Sequence, residues 1–137
     1  MNRNDALRLV SLDVVCGSHG QHADMTLEID GKTHSAKTTG TGPVDATFRA
    51  IRQLVPHDAA LKLYQVHAVT GGTDAQVQVS VQLDDEGTVY NGHAADIDTL
   101  VASAQAYVSA LNKWRQMKQK HEAAKTALDK VKQARAG

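Results

Sequence analysis

The chain has 137 residues, of which 42% are hydrophobic and 22% charged, and its formal net charge is zero. This length suits one domain with a real core rather than two. The single cysteine, Cys16, excludes an internal disulfide framework, and no apolar run is long enough to span a bilayer. The start, Met1-Asn2-Arg3-Asn4-Asp5, lacks the apolar stretch of a signal peptide. With the lone cysteine, this points to a reducing, cytoplasmic setting. Aromatic residues are only 4%, so Val, Leu, Ile and Ala must build the core.

Leu7 to Cys16 alternates, with Val10, Leu12, Val14 and Cys16 on one face. Gly17 to His22 is a loop. Ala23, Met25, Leu27 and Ile29 then face one way, and Asp24, Thr26, Glu28 and Asp30 the other, as in a half-buried strand. Asp30-Gly31 is a strong hairpin signal. Lys32 to Thr39 reads as the return strand, near an edge. Gly42-Pro43 opens a helix, because proline has no N–H to leave unpaired in a first turn. Val44, Phe48, Ile51 and Val55 follow helical spacing, and Pro56-His57-Asp58 ends the helix.

The second half repeats this order. Leu61 to Thr70 reads as a strand with Tyr64, Val66 and Ala68 on one face, and Thr70 to Asp74 as a turn. Ala75, Val77, Val79, Val81 and Leu83 give the cleanest alternation in the chain. Asp84 to Gly87 turns into a short strand, Thr88 to Asn91. Asp96 is an expected N-cap, and Ile97, Leu100, Val101, Ala104, Val108 and Leu111 line one helical face. The expected architecture is α+β: two βββα units, 7–56 and 61–112, related by a pseudo-twofold in a two-layer sandwich. The short polar third strands leave edges, so a homodimer is expected.

From Lys113 onward, eight basic residues face two acids, giving a tail of +6 on a body of −6. Residues 113–137 are therefore set apart as a basic helical tail with a thin apolar stripe: Met117, Ala124, Leu128 and Val131. Such a tail is a solvated helix end first. Nucleic-acid binding is the sharper alternative, and no aromatic or glycine motif accompanies the charge.

No nucleophile elbow or paired acids mark an enzyme. Cys16 reads as a small buried apolar residue. Cys16-x-x-His19-x-x-His22, with His34 nearby, does not match a common structural zinc spacing, so exposed loop imidazoles are the reading. Gly40-Thr41-Gly42-Pro43 lacks the Lys-Ser/Thr of a phosphate loop. No metal or cofactor is expected. A small amino-acid ligand fits better. Its carboxylate would suit the amides near Gly42-Pro43-Val44 or Asp96-Ile97. Its ammonium would suit Asp45 or Asp74, and its side chain an alanine-lined hollow near Tyr64, Ala68, Ala75 and Val77. The same residues also suit plain packing of sheets on helices.

The ordered set Gly40-Thr41-Gly42-Pro43-Val44-Asp45-Ala46, Tyr64-x-x-x-Ala68, Thr70-Gly71-Gly72-Thr73-Asp74-Ala75 and Asp96-Ile97, with Ala102 to Asn112, resembles the C-terminal regulatory domain of 2-isopropylmalate synthase, shared with (R)-citramalate synthase. The resemblance covers roughly residues 7–114. It implies a dimer with an allosteric site for a branched-chain amino acid: leucine in the first enzyme, isoleucine in the second. It places ligand contacts at Gly42, Pro43, Val44 and Asp45, and apolar walls at Leu61, Tyr64, Ala68, Ala75 and Val77. Asp74, Asp96 and Ile97 complete the set. The resemblance also implies a separate TIM-barrel catalytic domain, an acetyl-CoA-dependent acyltransferase, which this chain is too short to contain. The expectation is a leucine-sensing, dimer-forming and non-catalytic domain, either excised or free-standing. An isoleucine sensor and a pure dimerisation module are the alternatives. One departure stands out: Gly92-His93-Ala94-Ala95-Asp96 lacks the second glycine of the family's second turn, which implies a weaker or different half-site there.

Overall fold

The computed structural model describes residues 6–69 and 76–136. Three strands, β1 (Leu7–Gly17), β2 (Gly20–Ile29) and β3 (Lys32–Gly40), precede helix α1 (Pro43–Leu54). Three more, β4 (Ala60–Val69), β5 (Gln76–Asp85) and β6 (Thr88–Asp96), precede helix α2 (Thr99–Ala136). Each trio forms its own antiparallel sheet in chain order, β1-β2-β3 and β4-β5-β6. The hairpin turns use left-handed backbone at Asp30-Gly31 and Glu86-Gly87, as two-residue turns require.

The halves correspond in local detail as well as in element order. Val10 and Lys62 are the extra residues of matching β-bulges, between Leu9/Ser11 and Leu61/Leu63. In each helix a hydroxyl bonds back one turn at 2.7 Å, Thr47 to the Pro43 carbonyl and Ser103 to the Thr99 carbonyl. The bulge also corrects the face of β1. An extra residue shifts the alternation, so Leu7 and Leu9 join Leu12 and Val14 on the helix side. Val10 and Cys16 are exposed, Cys16 against the expectation of burial.

The third strands are not short. β6 continues past Asn91 to Asp96, and Gly92 lies inside it rather than in a turn. A Cβ on Gly92 would fall 1.9 Å from the Ala106 carbonyl oxygen. The missing side chain therefore lets α2 lie directly on the strand. The tail expected from residue 113 continues α2 without a break.

The core lies between the inner sheet faces and the two helices, with Met25, Leu27, Ile51, Val81, Leu83 and Tyr107 fully buried. Burying side chains of this kind contributes about 1.5–3 kcal/mol each. Phe48 of α1 meets Tyr107 of α2 with ring centroids 4.7 Å apart, joining the halves. Asn112 closes the domain: its Oδ1 accepts from the Leu7 N–H and its Nδ2 donates to the Leu7 carbonyl, both at 2.9 Å.

A second brace runs along α2. Arg52 donates to the Tyr107 hydroxyl (3.4 Å), which is hydrogen-bonded to His57 Nε2 (2.9 Å). Trp114 and Lys118 both bind Asp85, at 2.9 and 3.2 Å. Burial, followed by the Arg52 charge, lowers the His57 pKa. The Trp114 and Lys118 hydrogen bonds lower that of Asp85.

Gly92→Ala should lower unfolding stability by about 1–3 kcal/mol, because the clash is with backbone. Gly17→Ala, whose Cβ would meet open space, should stay within about 0.5 kcal/mol in the same urea titration. A second outcome follows from His57. Its neutral form is favoured by folding, so the unfolded chain binds more protons between the lowered value and about 6.5. The urea midpoint should fall as pH drops through that window, and His57→Gln should flatten this limb. Loss from Asp85 comes only lower, as its own depressed pKa is crossed.

Candidate functional site

The two helix starts are built differently. At α2, Asp98 caps the helix: its carboxylate accepts from the Leu100 and Val101 amides at 2.8 and 3.2 Å. Asp98, not Asp96, is therefore the N-cap, and Asp96 ends β6 with its own carboxylate on the Asp98 amide at 2.9 Å. The reason lies in the length of β6, which carries Asp96 into the sheet and leaves the cap to the next acid. The charge of Asp98 already answers the positive end of α2.

At α1 the cap residue is Gly42, with extended backbone and no side-chain cap. A Cβ there would meet nothing within 4 Å. Pro43 takes the first helical position, and the Ala46 amide bonds the Gly42 carbonyl at 2.9 Å. The Val44 and Asp45 amides, which precede it, belong to the uncapped end of the helix. Asp45 is engaged by its own turn: its carboxylate accepts from the Thr41 amide (3.0 Å) and hydroxyl (3.4 Å) and pairs with Arg49 (3.1 Å). The Thr41 amide is the main cause of its lowered pKa. Gly40, part of the sequence motif but not among the expected ligand contacts, lets β3 approach this turn. A Cβ on it would lie 2.5 Å from the Ala46 nitrogen.

The inner face of the second sheet supplies the apolar part. Its rows, read across the register, are Leu61–Leu83–Tyr90, Tyr64–Val81–Gly92, Val66–Val79–Ala94 and Ala68–Val77–Asp96. Helix α2 covers the first rows. At the far end Val66 and Ala68 are exposed while Val77 and Asp96 are half-buried. Tyr64 is held in place by donating to Ser103 Oγ at 2.7 Å, since that serine donates its own proton to the Thr99 carbonyl. Its ring stands edge-on to Phe48, centroids 5.5 Å apart. Phe48 lies one helical turn after Val44, so this contact links the α1 start to the second sheet.

The structure thus gathers Tyr64, Ala68, Val77 and Asp96 on one sheet face, with Leu61 at its covered end. Gly42, Pro43, Val44 and Asp45 form one turn, linked to that face through Phe48. Ile97 is 74% exposed in the β6–α2 connection. Asp74 and Ala75 lie outside the described residues, as does the turn from Thr70 to Thr73. The departure expected at His93 and Ala94 falls within β6, away from the helix start, and the difference between the halves comes from Asp98 instead. An open groove of about 400 Å³ lies elsewhere, on the solvent face of the first sheet by Asp13, His22, Asp24 and Lys37. Val15 and Ala23 add apolar surface to it, and none of the expected ligand contacts line it. Among the described residues no group of His, Cys, Asp or Glu is placed to hold a metal, and no helix is long and apolar enough to cross a membrane.

With this geometry in hand, comparison with known proteins is specific. Residues 1–115 match the model of the LeuA allosteric (dimerisation) domain. The chain is 56% identical over 117 residues to the 2-isopropylmalate synthase of Caulobacter sp. (strain K31), covering 85% of this chain and 22% of that protein. It is 59% identical over 109 residues to the same enzyme of Caulobacter vibrioides (strain NA1000 / CB15N), covering 80% and 21%. It is also 59% identical over 111 residues to that of Afipia carboxidovorans, again covering 80% and 21%. The chain therefore spans about a fifth of the length of the curated relatives it matches.

The unequal caps give a stability test. Asp98→Ala should cost about 1 kcal/mol by thermal unfolding, the usual loss of a helix cap. Gly42→Ser, entering open space at a position that favours serine, should leave stability unchanged or slightly raised.

Proposed function

This chain belongs to the LeuA allosteric (dimerisation) domain family, and from that premise we propose that it is the leucine-binding, dimer-forming regulatory part of a 2-isopropylmalate synthase. The observation that carries the reading is the contrast between the helix starts. One is closed by Asp98, and the other is open at Gly42, on the helix whose Phe48 ring meets Tyr64 of the partly exposed alanine and valine face. A ligand carboxylate at the Val44 and Asp45 amides would occupy the positive end of α1. An aliphatic side chain would lie over Tyr64, Ala68 and Val77, with Ala75 and Leu61 extending the wall. Asp45 orders the turn through Thr41 and Arg49, which leaves the ammonium to Asp74 or to the Asp96-Ile97 segment.

In a single chain Val66 and Ala68 on this face meet solvent. A second copy covering that face would both bury the ligand and form the dimer. Leucine would then favour the closed arrangement by whatever difference in affinity it has for the two states. Coupling of about 1–3 kcal/mol suffices for feedback control of an attached catalytic domain. The names of the relatives favour leucine over isoleucine.

Calorimetric titration with leucine, isoleucine and valine tests this. Leucine should bind best, ahead of valine by about tenfold to two hundredfold for one methylene. Ala68→Val should weaken leucine binding at least tenfold, and so should Gly42→Ser, with unfolding temperatures unchanged. Preference for isoleucine would assign the site to the citramalate synthase branch. A stable dimer indifferent to all three amino acids would make the domain an assembly module alone.

A further inference from the structure

The tail is not absorbed by this function. The family match stops at residue 115, yet α2 runs on to Ala136. The root of the tail is pinned to the body by Lys113 on the Asn91 carbonyl, Arg115 on Asp30 and Lys118 on Asp85. From Gln119 to Ala136 the helix extends about 27 Å at 1.5 Å per residue. Every side chain described there, Gln119 to Lys132, is exposed.

Its sequence nevertheless has a side. Met117, His121, Ala124, Leu128 and Val131 recur at alternating spacings of four and three, the period of a helix that packs along another helix. This line continues the stripe Ser103, Tyr107, Ala110 and Trp114, which packs onto the body at the start of α2. Beyond the body it has no cover: Met117 is 38% exposed, Leu128 55% and Val131 49%. Lys120 flanks the seam on one side, Lys125 and Lys132 on the other. Glu122 and Asp129 sit further round the helix, outside Lys125 and Lys132.

We propose that residues 117–131 of α2 form a docking seam for an acidic amphipathic helix of a partner protein, with apolar residues meeting Leu128 and Val131 and carboxylates meeting Lys120, Lys125 and Lys132. The flanks choose the occupant. A second copy would set lysine against lysine whether the helices ran parallel or antiparallel. Nucleic acid would answer the charge but not the apolar line. The tail also offers no aromatic platform for bases, because Trp114 is held against Asp85. The seam is separate from the leucine site, so either proposal can fail alone.

The test uses the full chain and a synthetic three-heptad peptide with Leu and Val on its seam and Glu on both flanks, followed by fluorescence anisotropy. Saturable binding is expected, weakened at least tenfold by Leu128→Asp with Val131→Asp and likewise by Lys125→Glu with Lys132→Glu. These exposed substitutions should leave the thermal unfolding of the body unchanged. Failure of the peptide to bind would overturn the proposal. So would equal binding of a shuffled peptide of the same charge, or tighter binding of single-stranded RNA that ignores Leu128→Asp. Sedimentation velocity showing self-association through the tail, abolished by the same seam variants, would overturn it in favour of a second copy.

Discussion

Asn112 holds both backbone groups of Leu7 across 105 residues of chain, in a buried position. The two sheets are separate ladders, so among the described residues no strand pairing ties one half to the other. That task falls to the helices. Helix α2 lies on β6 and β5 of its own sheet and, through Asn112, also fixes the first strand of the other sheet. Losing that amide would leave a buried donor and acceptor unpaired, each costing about 1–3 kcal/mol. The relative placement of the halves, on which any site between them depends, rests on this clamp together with the Phe48 contacts to Tyr107 and Tyr64, the Arg52–Tyr107 bond and the Arg115–Asp30 pair.

Duplication supplies two of everything, and the two copies differ in a few places. Both helices carry the same hydroxyl-to-carbonyl bond one turn in, and both sheets carry the same bulge. The pairs then diverge where chemistry matters. Gly42 stands where the second half has Asp98, so one helix end is open to an anion and the other is already neutralised. Tyr64 stands where the first half has Leu12, so the second sheet ties a tyrosine hydroxyl to Ser103 of its helix, whereas the first ties Thr38 of β3 to the Ala46 carbonyl. A symmetric scaffold thus presents two unlike helix starts without any change of fold.

The close approach of strand and helix comes from glycine at two places that are not equivalent. Gly92 admits α2 to the middle of β6, where the first half has Ala36. Gly40 admits the α1 turn at the end of β3. The open space at Gly42 is different in kind, since neither packing nor backbone conformation demands glycine there. A position that the fold leaves free is one that a ligand or a partner can use.

Much of this was legible from residue order alone. Period-two runs, hairpin signals and the Gly42-Pro43 helix start determined two βββα units, and the ordered motifs determined the family resemblance, because both depend on local chemistry and spacing. What lay beyond the sequence turned on single-residue register and on distance in space. The bulge at Val10 put Leu7 and Leu9, in place of Val10, on the core side of β1 with Leu12 and Val14. The length of β6 moved Gly92 from a turn into a strand and passed the cap from Asp96 to Asp98. The clamp from Asn112 to Leu7, the engagement of Asp45 by its own turn and the Phe48–Tyr64 contact exist only once the chain is folded. A hydrophobic period specifies which element forms, but one residue of phase and the packing of distant elements decide which groups meet.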